Sequence, residues 1–385
     1  MLEKAHPQQD RRPALHRRHD GCAHIAQHHR AATELTDAAA DATGVLAARL
    51  ADVNLDALSG GNGRIDLDAI RDLEPPLRDV EREIVALQRS IAEIDSPWLV
   101  APVASRLDDL AAEVDAQLVR STDALAATAA APGLLGGDGP RTYFIGFTTP
   151  VEARGLGGLF GNWAELTITD GAFEMTRFGR IDDLDDAGDP TTQRFTTGSD
   201  PDGPDLDEWL ARYGAYSLSS GPGGTTGPAA WKNINMSPDM DATGRAIADL
   251  YPQSGGRELD GVFIMDVITV ARLLEFTGPI PLPNDDAVDG PDRLTADTAA
   301  EFLLNGQYDV TDKADRVDLL DVVSRTVIGR LLGAPLPPPT ELLDVLGPMV
   351  DQGRLTGWAS SATEQDLLTR LGVAGTLPQL DREDG

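Results

Sequence analysis

Cysteine, aromatic residues and positive charge are scarce in this 385-residue chain. A single cysteine, Cys22, excludes an intramolecular disulfide framework. Aromatic residues make up 5% of the sequence, and 32 Lys and Arg stand against 63 Asp and Glu, which gives a net charge of −31. Nucleic acids and anionic lipid headgroups both require a basic surface, so this composition predicts neither as a general partner.

Long apolar runs are also missing. No stretch approaches the roughly 18 apolar residues of a membrane-spanning helix, and the chain does not open with the charged and apolar regions of a signal peptide. The sequence therefore predicts no membrane span in this chain. Its hydrophobic content of 41% is ample for the buried cores of two or three domains.

The first 30 residues differ in composition from the rest. They contain all six histidines of the protein. Cys22, His24, His28 and His29 carry the side chains of a zinc or nickel site, but their spacing does not close a four-ligand site. We therefore expect residues 1–30 to be a disordered leader, consistent with a misassigned start, with no specific metal site.

Residues 31–131 show the periodicity of helices. Apolar side chains recur every three or four positions, and Pro75 and Pro76 interrupt the pattern. These apolar stripes predict the core of an antiparallel helical bundle rather than a cofactor site. A linker rich in glycine and proline, residues 131–140, leads into the next domain.

Strand and helix patterns alternate over residues 140–333, which predicts a three-layer α/β/α domain. The predicted strands are 142–147, 164–169, 172–178 and 261–265, and we expect them to share one sheet. The predicted helices of the second half are 267–276, 295–304 and 314–332. Asp170 and Gly171 form the turn signal of a hairpin, and the polar residues 185–228 predict a long surface excursion.

The C-terminal region contains too little sequence for a further core. Residues 340–385 show a short helix, a strand and another helix, and we expect this partial segment to pack poorly. The predicted fold class is thus α+β and multidomain. A helical bundle precedes the α/β domain, and a truncated C-terminal segment follows it.

A glycine-rich loop, residues 152–162, is the strongest indication of a functional site. Glycines let a backbone approach a ligand closely, and Arg154 lies among them. Arg177 and Arg180 follow in the next hairpin. Basic side chains around such a loop predict an anion site in an otherwise acidic protein.

A predicted helix N-terminus lies beside a further cation. Lys232 shortly precedes a helix for which Ser237 is the expected N-cap and Pro238 the first residue. The free N–H groups and the dipole at such a helix end favour anions. Together with the loop arginines, this segment predicts a site for phosphate groups.

The alternative is that the arginines form exposed ion pairs, which are common and contribute little. Acidic residues near Arg154, Arg177 and Arg180 are Glu152, Glu165, Glu174, Asp182 and Asp183. A nucleotide loop is excluded because no Gly-Lys-Ser/Thr follows the glycines. A histidine-dependent nucleophile is not expected either, because every histidine lies in the leader.

Several motifs, in this order, resemble a bacterial cell-envelope family of unknown function over about residues 54–380. They are EARGLGGLFGNW, TRFGRIDDLDD, WKNINMSPD, DLYPQSGGRELDGVFIMD, LLEFTGPIPLP and WASSATEQDLLTRLGVAG. That family is itself similar to the LytR-CpsA-Psr phosphotransferases, over about residues 141–283 of this chain. Its members resemble proteins with a membrane anchor before the helical region and a β-rich domain after the last motif. The resemblance therefore implies a truncated, extracytoplasmic protein.

The resemblance also implies a ligand. LytR-CpsA-Psr enzymes transfer glycopolymers from polyprenyl pyrophosphate lipids to the cell wall, with arginines, aspartates and a magnesium ion at the pyrophosphate. Arg180 and Asp182 are similar to an arginine-aspartate step of these enzymes, and Lys232 and Asn235 to a lysine-isoleucine-asparagine segment. Arg154 is similar to an arginine of the first loop. With Arg177, these form the expected ligand-binding set of six residues.

Two acidic signatures of the phosphotransferases are replaced in this chain. Gly146, Phe147 and Thr148 stand where those enzymes have glycine, serine and aspartate, and the glycine loop lacks their arginine-serine-aspartate. One hypothesis is therefore an envelope protein that binds a phosphorylated polyprenyl lipid or glycopolymer, with phosphotransferase activity as its extension. The other is a non-catalytic scaffold or interaction module of a surface assembly. An apolar tunnel beside Arg154 and Arg180 would favour the first, and a filled core the second.

Overall fold

A computed structural model describes most of the chain after residue 54. The described residues are 33, 36, 44, 55–59, 64–94, 101–188, 212–213, 219–220, 226–227, 231–281, 292–305, 313–333 and 337–375. The predicted leader and most of the predicted excursion lie outside them. The described residues divide between two compact units, the first drawn from Met1–Val53 and Leu73–Leu125 and the second from Asn54–Asp72 and Ala126–Gly385.

The helices and strands are numbered in chain order. The helices are α1 (Leu67–Asp72), α2 (Glu74–Ile94), α3 (Ala101–Leu134), α4 (Ile181–Ala187), α5 (Met240–Gln253), α6 (Val267–Arg272), α7 (Leu274–Thr277), α8 (Ala296–Leu304), α9 (Lys313–Gly333), α10 (Pro339–Asp351) and α11 (Ala362–Arg370). The strands are β1 (Arg141–Thr149), β2 (Leu159–Thr169), β3 (Ala172–Arg180), β4 (Ser219–Ser220), β5 (Thr226–Gly227), β6 (Gly261–Asp266), β7 (Ile280–Pro281), β8 (Arg293–Leu294) and β9 (Leu355–Ala359). Leu55–Leu58 and Trp231–Asn233 are short 3-10 helices.

In the first unit, α2 packs against α3. Pro75 and Pro76 lie in the first turn of α2, where a proline needs no N–H partner, so they start a new helix after α1. The buried apolar residues of this pair are Val80, Ile84, Ile91, Leu107 and Val114. All five residues belong to the apolar stripes that were predicted to form the core of the helical region. Within the described residues, no helix of either unit is both long enough and apolar enough to cross a membrane.

The second unit is a mixed α/β fold built on one five-stranded sheet. The strand order is β3-β2-β1-β6-β9, with β1 and β6 parallel and the other neighbours antiparallel. The prediction that the four strands β1, β2, β3 and β6 share one sheet is confirmed. Asp170 and Gly171 have positive φ angles of 48° and 76°, as the predicted hairpin turn between β2 and β3 requires.

Both faces of the sheet are covered by apolar side chains. Strand β1 is buried along almost its whole length because alternate residues enter two different cores. Phe144 faces a core that includes α5, whereas Tyr143, Ile145 and Phe147 face a core that includes α6, α8 and α9. The central strand thus anchors the whole unit.

The predicted linker before β1 begins too early. Helix α3 continues to Leu134, beyond the predicted start at residue 131. Gly136, two residues beyond the helix, has φ 76°, and its N–H is bonded to Gly133 C=O at 3.1 Å, while Gly137 N–H is bonded to Pro132 C=O at 2.8 Å. These are the two hydrogen bonds of a Schellman cap, so the glycines terminate a helix rather than form a free linker.

The prediction that residues beyond Thr340 pack poorly is wrong for the described part of that segment, residues 341–375. Strand β9 pairs with β6 along its length, and Trp358 is 5% exposed. The Trp358 side chain packs directly against Gly244 of α5. A Cβ on Gly244 would lie 2.4 Å from Trp358 Cβ, so α5 accommodates this side chain only because residue 244 is glycine. The C-terminal segment completes the edge of the α/β sheet.

Candidate functional site

The glycine loop connects β1 to β2 and is shorter than predicted. Strand β2 begins at Leu159, so the last residues of the predicted loop belong to the sheet. A Cβ on Gly155 would lie 2.2 Å from Met236 C=O and 2.7 Å from Pro238 N. The close approach that this glycine permits is therefore to another part of the chain, residues 236–238.

Asn235 holds the loop in place. Its side-chain Nδ2 donates to the carbonyls of Leu156 and Gly158 at 2.5 and 2.7 Å, and its own carbonyl accepts Leu156 N–H at 3.1 Å. The residue is fully buried, and its Oδ1 has no hydrogen-bond partner among the described residues. Asn235, predicted as a ligand contact, thus acts on the loop through its amide hydrogens.

Arg154 is bound to the same stretch of chain. Its Nε donates to Asn233 Oδ1 at 3.0 Å, and its Nη1 donates to Ala153 C=O at 2.9 Å. Glu152 Oε2 lies 3.8 Å from Nη2, beyond hydrogen-bonding distance. The side chain of Arg154 is 20% exposed, so part of the guanidinium faces solvent.

Lys232 forms an exposed ion pair with α4. Its Nζ lies 2.6 Å from Asp182 Oδ1, and the two side chains are 48% and 55% exposed. One turn further along α4, Asp185 accepts the backbone N–H of Trp231 at 2.8 Å. Burial raises the pKa of Asp185 to about 6, an effect that this hydrogen bond and Lys232 partly oppose.

The 3-10 helix Trp231–Asn233 is anchored by its first residue. Trp231 is fully buried, its indole Nε1 donates to Ser254 Oγ at 3.0 Å, and its ring stacks on Phe144 with centroids 6.0 Å apart. Ile234 is also fully buried. Because both flanking residues are held in the core, Lys232 and Asn233 lie on a rigid support.

Helix α5 does not begin as predicted. Its N-cap is Asp239, whose side chain accepts Asp241 N–H at 3.1 Å, and the predicted cap Ser237 instead accepts Asp239 N–H at 3.1 Å. Both residue types are good N-caps, and the Ser237–Pro238 backbone lies against Gly155 just before the helix. A carboxylate of the chain itself therefore occupies this helix end.

Arg177 belongs to a different cluster. Its guanidinium lies over the rings of Trp163 and Tyr251, at 5.0 and 5.8 Å from their centroids, and Nη1 donates to Gly255 C=O at 2.9 Å. Tyr251 OH in turn donates to the fully buried Glu165 at 2.9 Å. Burial and the Glu165 charge both raise the pKa of this phenol. Arg177 closes this aromatic cluster.

Arg180 is the last residue of β3. Because successive side chains of a strand alternate, it lies on the face of Phe178, opposite the face of Arg177 and Gly179. The face of Arg177 and Gly179 is the one that carries Trp163, since a Cβ on Gly179 would lie 3.3 Å from Trp163 Nε1. The backbone of Arg180 donates its N–H to Asp183 Oδ2 at 2.9 Å and accepts Trp163 Nε1–H at 3.0 Å.

Four of the six predicted residues thus lie in or contact one stretch of chain, residues 231–235, which begins with the 3-10 helix. These are Arg154, Asp182, Lys232 and Asn235. Arg177 and Arg180 lie on opposite faces of β3. Asn233 was missed by sequence reasoning, although an amide between Lys232 and Asn235 in the same motif was the available signal.

The carboxylates around these residues have partners within the chain. Magnesium prefers an octahedral set of oxygens with carboxylates, and no group of three or more His, Cys, Asp or Glu in the described parts of the chain is placed to hold a metal. Strand β1 ends in Thr148 and Thr149, neither of which carries a carboxylate. Asp182 is paired with Lys232, and Asp185 accepts the backbone N–H of Trp231.

Comparison with known proteins identifies a family of unknown function over part of the chain. Residues 138–308 match the model of a family described as a protein of unknown function, DUF4012. No curated protein matches the chain. Among solved structures, the crystal structure of protein gbs0355 from Streptococcus agalactiae is similar, with 14% identity over 64% of this chain and 77% of that chain and a TM-score of 0.30. At that TM-score the likeness carries no argument about function.

Proposed function

We propose that the α/β unit is a LytR-CpsA-Psr-like domain that binds a phosphorylated polyprenyl headgroup or glycopolymer, in an envelope-associated, extracytoplasmic protein. The observation that carries the proposal is the bond of 3.0 Å between Arg154 and Asn233. It joins the loop that carries Arg154 to the segment that carries Lys232, although 78 positions separate these two basic residues. In a chain with a net charge of −31, basic residues on two joined segments are suited to an anionic group.

The expected affinity is modest. Each charge-assisted hydrogen bond to a phosphate contributes about 1.5–3 kcal/mol. Two such contacts correspond to a dissociation constant from about 6 mM to about 40 μM. Larger affinity would have to come from further contacts to the glycan or lipid.

Binding without transfer is favoured over catalysis. Thr148 and Thr149 stand at the end of β1, where the enzymes that the sequence resembles have an acid. The sheet face beside the site is filled by aromatic rings. Phe144 packs on Trp163 and Trp231, with centroids 5.8 and 6.0 Å apart. This packing argues against burial of a prenyl tail on this face of the sheet.

The same filled core favours a second candidate function, a non-catalytic scaffold or interaction module of a cell-surface assembly. In that case the ion pair of Lys232 with Asp182 and the bond of Arg154 to Asn233 only stabilise the fold. The two candidates differ in whether an added phosphate compound competes for these side chains.

Calorimetric titration with inorganic pyrophosphate, geranylgeranyl pyrophosphate and geranylgeraniol tests the proposal. We expect both pyrophosphates to bind and the uncharged alcohol not to bind. Arg154→Ala and Lys232→Ala should each weaken pyrophosphate binding about tenfold, the loss of one contact. Arg370→Ala is the matched control, because Arg370 is an exposed arginine paired with Asp366 on α11. Absence of binding by the wild-type protein, or equal losses in all three variants, would support the scaffold instead.

A further inference from the structure

Arg154 is held on two sides by the protein itself. A guanidinium has five N–H donors, and the bonds from Nε to Asn233 and from Nη1 to Ala153 use two of them. The remaining three, two on Nη2 and one on Nη1, make no hydrogen bond within the described residues. A guanidinium bound in this way keeps its terminal edge available, the edge that binds an anion in a bidentate manner.

Asn233 is suited to hold Arg154 because its own position is rigid. It ends the 3-10 helix Trp231–Asn233, and the next residue, Ile234, is fully buried and donates its N–H to Trp231 C=O at 3.1 Å. Trp231 is fixed at both ends, by Asp185 through its backbone and by Ser254 through its indole. A side chain on such a support can hold its partner with little loss of conformational entropy on ligand binding.

An amide is the appropriate acceptor at this place. Its Oδ1 accepts the Nε hydrogen without adding a negative charge, so the positive charge of Arg154 stays available to a ligand. A carboxylate there would hold the guanidinium as well but would neutralise it. Among the described residues the nearest carboxylate is that of Glu152, which lies 3.8 Å from Nη2 and is 56% exposed, so it forms a weak, solvent-screened pair.

We infer that Asn233 is a positioning residue for anion binding, which fixes the Nε of Arg154 and directs its Nη1–Nη2 edge to the ligand. This inference rests on the proposed function, because a ligand phosphate is the group that the edge would bind. It adds a residue outside the predicted set and assigns it to Arg154. Asn235, two residues on, holds the glycine loop instead.

The arginine Nε–H signal of 15N-labelled protein reports the positioning directly. Arg154→Lys assigns the signal by removing it. We expect a slowly exchanging Arg154 Nε–H in the wild-type protein, its loss by fast exchange in Asn233→Ala, and its retention in Asn233→Asp. Asn305→Ala is the control, since Asn305 donates to Glu301 on α8. A wild-type protein without a protected Arg154 Nε–H would overturn the inference.

Titration with inorganic pyrophosphate supplies the second measurement. We expect Asn233→Ala to bind about five- to tenfold more weakly, and Asn233→Asp to bind more weakly still despite its protected Nε–H, because the charge is neutralised. A purely structural role would let Asn233→Asp bind at least as well as Asn233→Ala. Unchanged affinity in Asn233→Ala, with binding lost in Arg154→Ala, overturns the positioning role alone. Absence of binding by the wild-type protein overturns the proposed function, even if the Nε–H signal behaves as expected.

Discussion

Asp185 accepts the backbone N–H of Trp231 at 2.8 Å, although the two residues are 46 positions apart. Burial raises the pKa of Asp185 from 3.8 to about 6. A carboxyl with a raised pKa in the folded state contributes stability below its unfolded pKa, and that contribution is lost as the pH rises through about 6. At neutral pH the ionised Asp185 therefore costs stability.

Asp185→Asn should remove this pH dependence. The amide Oδ1 can still accept the Trp231 N–H but carries no charge. A pKa raised from 3.8 to about 6 corresponds to at most about 3 kcal/mol of unfolding free energy. Because the carboxyl keeps contact with solvent, we expect a gain of about 1 kcal/mol. Urea unfolding should show the variant more stable than the wild type at pH 7.5 and not at pH 4. The exposed neighbour Asp186, changed to Asn, is the control, and an equal gain there would contradict the role of burial.

Asn235→Ala should destabilise the α/β unit. The substitution removes two hydrogen bonds and leaves the carbonyls of Leu156 and Gly158 without their donor. Each such group costs about 1–3 kcal/mol when buried, so we expect a loss of about 2–4 kcal/mol in urea unfolding. A loss below about 0.5 kcal/mol would mean that water replaces the amide without difficulty.

Gly155 and Gly161 provide a matched pair in the same motif. A Cβ on Gly155 would lie 2.2 Å from Met236 C=O, whereas a Cβ on Gly161 would meet only Phe147 C=O within 4 Å, at 3.8 Å. Gly155→Ala should therefore cost about 1–3 kcal/mol and weaken pyrophosphate binding by displacing the adjacent Arg154. Gly161→Ala should change neither by a measurable amount. Equal effects of the two substitutions would show that the contact of the loop with residues 236–238 is not required.

The hairpin and the central strands could be predicted from sequence because their signals are local. Asp170 and Gly171 determine the turn, and the apolar residues of β1 are neighbours in the chain. The pairing of β9 with β6 could not be predicted, because it depends on the fit of Trp358 against Gly244, 114 positions away. The strand pattern was evident, but nothing near it specifies its partner.

The candidate site, too, could be predicted only in part from the sequence. Its residue types were evident from the motifs, but their arrangement depends on distant contacts. Arg154 meets Asn233 across 79 positions, and no local feature indicates that bond. Conversely, Arg177 and Arg180 are close in sequence, yet the alternation of a strand separates them. The start of α5 was misplaced because Ser237 and Asp239 are equally good caps, and tertiary contacts decide between them.

Arg177→Ala should affect stability and not ligand binding. The side chain lies over Trp163 and Tyr251 and donates to Gly255, contacts that together contribute about 1–2 kcal/mol. We expect that loss in urea unfolding, with pyrophosphate affinity unchanged at a temperature where the variant is folded. Weaker binding at unchanged stability would place Arg177 in the ligand site after all.

Glu152→Gln should strengthen pyrophosphate binding. The Glu152 carboxylate lies 3.8 Å from Arg154 Nη2, on the edge that we assign to the ligand, and it is 56% exposed. A ligand phosphate must displace it and also experiences its negative charge. Exposed pairs contribute at most about 1 kcal/mol, so its neutralisation should improve the dissociation constant about two- to fivefold at low salt. Glu174→Gln, an exposed site on β3, makes the same change in net charge. If both variants bind equally more tightly, the gain reflects the overall charge of the protein and not a competitor at Arg154.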